Sequence, residues 1–243
     1  MNLMVISFLT LLPTVLVCWY VFVNDYKNME SAENLWLAFL LGGIGFLPIV
    51  YLQNLIEELI DLVFVKKMYV NEAGTKFFLT NETEILYHML VSFLGIALIE
   101  ILVLWMSALF VSNKKKNRKS LFEYILCFIF AFWGFAIVKN IIYVVNDGWQ
   151  LLLGRLMIEF PVEFSLAVIM GCSYCLSKKS KKLRWFGLCL VLPFVFLGGY
   201  SLMQIYPLKI LKYIFVMVYY LIYIVLFDFL RKIFAKEKTL REV

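Results

Sequence analysis

A chain of 243 residues that is 63% hydrophobic and only 16% charged, with a mean hydropathy of +0.88, has too little polar surface to cover a water-soluble globule. Its solvent is lipid, and at about 20 apolar residues per crossing the length admits roughly seven or eight spans and no second, soluble domain. The net charge of +6 is carried by Lys and Arg in short clusters between apolar runs, the pattern of a topology signal, and this argues against a nucleic-acid partner.

In chain order the apolar runs cover approximately 3–23, 34–56, 87–111, 121–145, 150–177, 184–205 and 208–231. They predict an all-α, polytopic bundle of about seven transmembrane helices forming a single domain over 1–243. Nothing basic precedes the first run, and no small-residue cleavage site follows it before Asn24-Asp25-Tyr26-Lys27, so it is expected to stay as a span. Cations at Lys114, Lys115, Lys116, Arg118 and Lys119, at Lys178, Lys179, Lys181, Lys182 and Arg184, and from Arg231 to Arg241 mark the cytoplasmic side. The connections at Asn146-Asp147-Gly148 and Ile205-Tyr206-Pro207 are short and nearly free of cations, which puts the N-terminus out and the C-terminus in. The connection 57–86 is then external, with Asn-Glu-Ala-Gly at 71–74 as a turn between two short segments. This style of sequence suits a multi-pass protein of a bacterial cell membrane.

Ionisable residues deep in a span are candidates for function, because a charge at the bilayer centre costs about 2.5–3.5 kcal/mol on insertion scales. Glu100 falls near the middle of the third run, Lys139 with Asn140 in the outer half of the fourth, and Arg155, Glu159 and Glu163 along the fifth. The last three are spaced i, i+4, i+8 and share one helix face, which must point into the bundle. Counted from the outer helix ends, Glu100, Lys139 and Glu163 lie within roughly 10 Å of one another in depth. They can form a shared polar cluster, either a structural ion-pair network or a functional pocket, and the two readings are compatible.

Weaker features have plain structural readings. Glu57, Glu58 and Asp61 resemble an acid–base pair of carboxylates, but beside Lys66 and Lys67 they read as a solvated interfacial face. Cys172-x-x-Cys175 has the spacing of a redox or metal pair, yet on an apolar helix it reads as packing, and five cysteines in apolar runs give no disulfide framework. His88 is the single histidine, about 18 Å along the helix axis from Glu100, and no H-E-x-x-H occurs, so neither a zinc site nor any other cofactor is expected. Gly42, Gly43, Gly45, Gly198 and Gly199 permit close helix approach.

The stretch Trp133-Gly134-Phe135-Ala136-Ile137-Val138-Lys139-Asn140-Ile141-Ile142-Tyr143 resembles the G-F-A-x-x-E-N-x-x-Y signature of the PrsW family of intramembrane proteases. Further blocks fall in the same order: Leu12-Pro13 with Asn24-Asp25-Tyr26-Lys27, then Ala38 to Gly42 and Leu47-Pro48, resemble that family's first two helices. Glu100 falls where the family carries E-E-x-x-K, Glu123 where it commonly has D-G, and Arg155, Pro161 and Gly171 match an R-x-x-x-x-x-P-x-H helix with a later glycine. The similarity covers about the first 180 residues. It implies an intramembrane peptidase that uses paired glutamates and a histidine, as the related CAAX-processing proteases use glutamate.

Each of those parts is altered here. Glu100 is flanked by Ile99 and Ile101, Lys139 stands at the glutamate of the second motif, and Glu163 stands at the histidine position two residues after Pro161. Peptide hydrolysis needs a carboxylate to take a proton from water and a second group to steady the oxyanion or protonate the leaving amine. Glu100 or Glu163 could do the first and Lys139 the second, with Asn140, Arg155 and Glu159 in support. More economically, Lys139 and a glutamate form an ion pair that fills and neutralises the pocket. The expectation is a degenerate relative that holds the transmembrane segment of another membrane protein; an active protease acting on a membrane-anchored regulator is the alternative. A small transporter with midplane charges is a third reading, and the lack of an evident repeat counts against it.

Overall fold

Uniformly apolar runs in a medium without water satisfy their backbone groups only by coiling into helices, and the described residues form five long helical rods. The computed structural model describes residues 32–70, 76–113, 121–147, 152–205 and five further positions between 214 and 225. The runs expected at 3–23 and 208–231, the turn at 71–74 and the cations at 114–119 and 231–241 fall wholly or largely outside those residues. The rods are α1 (Ala32–Phe64), a continuous rod made of α2 (Asn81–Leu90), a π-helical segment (Val91–Leu98) and α3 (Ile99–Asn113), then α4 (Leu121–Asp147), α5 (Leu152–Ser180) and α6 (Leu183–Ile205). Among the described residues, four helices are long and apolar enough to cross a membrane: Glu33–Phe64, Asn81–Asn113, Glu123–Asn146 and Leu183–Gln204.

Two departures from the expected elements matter. Helix α1 runs two turns past the apolar run, to Phe64, and carries Glu57, Glu58 and Asp61 in its last turns, as a helix-end position for these acids implies. The following connection folds as an antiparallel hairpin of β1 (Met68–Val70) and β2 (Lys76–Phe78), with Met68 opposite Phe78 and Val70 opposite Lys76. Thr80 then caps α2, its side chain accepting from the Thr83 N–H at 3.3 Å. The hairpin seats Phe78 on a small apolar cluster of Ile60, Phe64 and Tyr87, and the Phe64 and Tyr87 rings meet edge to face at 5.6 Å.

Helix α4 is the centre of the bundle. From Ile125 to Ile137 every side-chain-bearing residue is buried, including Phe128, Phe130, Trp133 and Phe135. Helix α1 packs most extensively on α4, which in turn packs on α5, and α6 closes the far side against α5 and the π segment. Glycines set the α1–α4 distance: a methyl group on Gly42 would overlap the carbonyl of Ala131, and one on Gly134 would overlap the carbonyl of Phe39. Backbone-to-backbone approach of this kind supplies dispersion contacts, which drive helix association where lipid is as apolar as leucine. The opposite face of α1 presents Trp36, Leu40, Ile44, Leu47, Tyr51 and Leu55 outward at helical spacing, as a lipid-facing surface does.

Candidate functional site

Three rods deliver one ionisable side chain each to a single point. Glu100 lies in the first turn of α3, directly after the π segment; Lys139 lies about one turn past the G-F-A stretch of α4; Glu163 lies in the middle of α5. The Lys139 Nζ stands 3.4 Å from Glu100 Oε1 and 3.5 Å from Glu163 Oε1, so a single ammonium bridges the two carboxylates. Both carboxylate side chains are less than one-tenth exposed, and that of Lys139 is 16% exposed. The same ammonium lies 5.2 Å from the centroid of the Phe135 ring, one helical turn back on α4. A wider turn with i→i+5 bonding shifts the register of everything that follows it, and the π segment Val91–Leu98 ends at the residue before Ile99-Glu100.

The other sequence candidates fall around this point in different ways. Asn140 is buried beside Lys139 on α4, and Glu159 is half-buried one turn before Glu163 on α5, within electrostatic range of Lys139. Arg155 belongs to the first turns of α5, and its side chain is outside the described residues. Two participants escaped the sequence reading. Gln53 of α1 donates from Nε2 to Glu100 Oε1 at 3.3 Å, and Tyr200 of α6 lies within electrostatic range of Glu159, Lys139 and Glu163. Gln53 is a polar residue inside the run 34–56, four residues before Glu57; that placement was the available signal. For Tyr200 there was none, since tyrosine is common in apolar helices at membrane interfaces.

A second ionic network lies at the hairpin. Lys76 donates to Glu57 Oε1 at 2.9 Å, to Asp61 Oδ1 at 3.0 Å and to the Tyr87 hydroxyl at 2.6 Å, and that hydroxyl donates to Asp61 Oδ1 at 2.8 Å. This corrects the expected neighbours of the acidic face: Glu57 and Asp61 are held by Lys76 across the hairpin, because β2 folds back over α1. Partial burial pulls the Lys76 ammonium down, but its hydrogen bonds to Tyr87, Glu57 and Asp61 outweigh that and hold it above the usual lysine range. Gln53, Glu57 and Asp61 are spaced i, i+4, i+8, so one stripe of α1 runs from the buried triad to this clamp. His88 lies next to it, 4.0 Å from Glu84 and edge-on to Phe78 and Tyr87, away from Glu100. Cys172 and Cys175 pack in the main core.

A buried ionic triad at the junction of transmembrane-length helices defines a polytopic membrane protein with an intramembrane polar site. The profile of the PrsW family intramembrane metalloproteases matches residues 30–227, and the chain belongs to that family. It is also similar to Protease PrsW of Bacillus subtilis (strain 168), with 22% identity over 192 residues that cover 78% of each chain. No solved structure matches.

The family's description implies a metal ion, and the residues at this site do not fit one. A protein-bound catalytic zinc takes three N, S or O ligands and keeps an open position. Here the two carboxylates turn toward an ammonium, a cation that accepts no ligand and lies between them. Among the described residues no group of three or more His, Cys, Asp or Glu is placed to hold a metal. The geometry shows a carboxylate pair bridged by one ammonium, with an amide donor also in contact.

Proposed function

We propose that this chain is a PrsW-family protein that keeps the intramembrane fold but does not hydrolyse peptide bonds efficiently, and that it binds the transmembrane segment of another membrane protein. One observation carries the reading: the Lys139 ammonium contacts one oxygen of Glu100 and one of Glu163. A general base must hold a water within hydrogen-bond reach, and here that side of each carboxylate meets a cation. In this reading the chain is a seven-span, single-domain protein of a bacterial plasma membrane, with N-terminus out, C-terminus in and the hairpin on the outer side. Family membership and four apolar rods of transmembrane length support the membrane placement.

A second reading is favoured by the name of the relative and by two buried glutamates facing one point: an active glutamate-dependent protease in which Lys139 steadies the oxyanion. The deciding experiment co-expresses a panel of single-span membrane proteins with the wild type, Glu100→Gln or Glu163→Gln, and follows fragment size on blots. Intact panel members that co-purify with the wild type are the expected result. A fragment that forms with the wild type and disappears with either variant would establish the protease instead.

A further inference from the structure

The mismatch between the family's metal and this chain's residues can be read positively. The geometry points to Lys139 as a built-in cation: its ammonium occupies the place between Glu100 and Glu163 that a metal ion would otherwise take, and the site is held together without one. Three observations support this. The ammonium is nearly equidistant from the two carboxylates, at 3.4 and 3.5 Å, although they come from different helices. The remaining contact to Glu100 Oε1 comes from Gln53, an amide donor, so the oxygen facing the ammonium is already shared. Both carboxylates are buried, and the rods that carry them approach their neighbours closely at glycines: a methyl group on Gly171 of α5 would overlap the Ile125 backbone of α4, and one on Gly45 of α1 would press on Val103 of α3.

Two buried carboxylates converging on one point need a cation or a shared proton between them, because an unpaired charge in a low-dielectric interior costs several kcal/mol. In a metal site that cation is a divalent ion with ligand bonds of about 2.0–2.2 Å. Lysine supplies one positive charge covalently, against the two of a divalent ion, at longer contact distances and with no free coordination position. The trade removes the electrophile and keeps the architecture. Shortening the side chain reverses it. A histidine at 139 reaches less far than lysine, but an imidazole plus a metal–nitrogen bond of about 2.1 Å spans a comparable length. Lys139→His therefore presents one imidazole and two carboxylates to a cation lying where the ammonium lies now.

The inference rests on the reading of Lys139 as a blocking group, and its test is separate from the cleavage assay. Wild type, Lys139→His and Lys139→His/Glu163→Gln are purified in detergent, incubated with Zn2+ alone, desalted and measured for metal per chain, with size-exclusion profiles to establish folding. The wild type is expected to hold substoichiometric zinc, Lys139→His about one equivalent, and the double variant to fall back to the wild-type level. In the presence of zinc at a hundredfold excess over its Kd, the melting temperature of Lys139→His should rise by roughly 5–10 °C, while that of the wild type stays put. Stoichiometric zinc in the wild type that Glu100→Gln removes would overturn the inference, and so would a folded Lys139→His that takes up none. If Lys139→His does not fold, the metal content of the wild type and of its Glu100→Gln variant still decides the question. Metal-free wild type that nevertheless cleaves a substrate would sink the proposed function and leave this inference standing; metal-bound wild type that cleaves nothing would do the reverse.

Discussion

Two places in this molecule use the same parts, a lysine between two carboxylates, and arrive at opposite geometries. At the hairpin, Lys76 reaches Glu57 and Asp61 at 2.9 and 3.0 Å, with its side chain 27% exposed and both acids partly open to solvent. In the bundle, Lys139 stays at 3.4 and 3.5 Å from Glu100 and Glu163, with both carboxylate side chains less than one-tenth exposed. A hairpin and the end of a helix can shift by fractions of an ångström to perfect a contact; three rods locked by glycine and aromatic packing cannot. The short clamp is shaped by its own hydrogen bonds, and the long triad by the helices that carry it. Strength runs the other way, because the buried pair cannot fall back on water when one member is lost.

The comparison can be tested by removing parts from each side. Lys139→Met leaves two buried carboxylates facing each other and is expected to cost about 3–5 kcal/mol, read as a lower melting temperature in detergent, whereas Lys76→Met is expected to cost about 1 kcal/mol or less. Equal losses would mean that the triad is hydrated and no stiffer than the clamp. Gly134→Ala should cost about 1–3 kcal/mol through overlap with the Phe39 carbonyl and should also disturb the triad, since it moves α4 against α1. Tyr87→Phe removes a hydroxyl that accepts from Lys76 and donates to Asp61, for about 1 kcal/mol, read as faster proteolysis of the hairpin with the bundle intact.

The smallest effect at neutral pH is the titration of Lys76. Its folded-state pKa is raised, so its contribution is fully present below the ordinary lysine value near 10.5 and is lost only as pH rises through the higher folded value. Hairpin protection against protease should therefore be flat through neutral pH and fall in strong alkali. Raising the salt concentration to about 1 M should loosen the clamp while leaving the triad unchanged, because screening reaches exposed charges and spares buried ones.

Much of this was legible in the chain. Hydropathy located the described rods closely: the runs 87–111, 121–145, 150–177 and 184–205 lie within Asn81–Asn113, Leu121–Asp147, Leu152–Ser180 and Leu183–Ile205 to within a few residues at most ends. Charges within apolar runs singled out Glu100, Lys139 and Glu163, since in lipid a buried charge is too costly to be incidental. The hairpin was hidden because three-residue strands carry too short an alternation to stand out. Gln53 was hidden because a neutral amide costs little enough to pass unnoticed in a hydropathy window.

The sequence alone determined that the chain lives in lipid, where its helices run and which of its charges demand partners, because those are properties of local composition and of a solvent that offers no hydrogen bonds. Only the tertiary structure decided that α4 is the central helix, that a π-helical segment precedes Glu100, and that the Lys139 ammonium lies between two carboxylates from two other rods. In water an amphipathic pattern would have announced the buried face. In a bilayer the inside and outside of a bundle are equally apolar, so burial is set by shape complementarity between helices, and shape is not written in hydropathy.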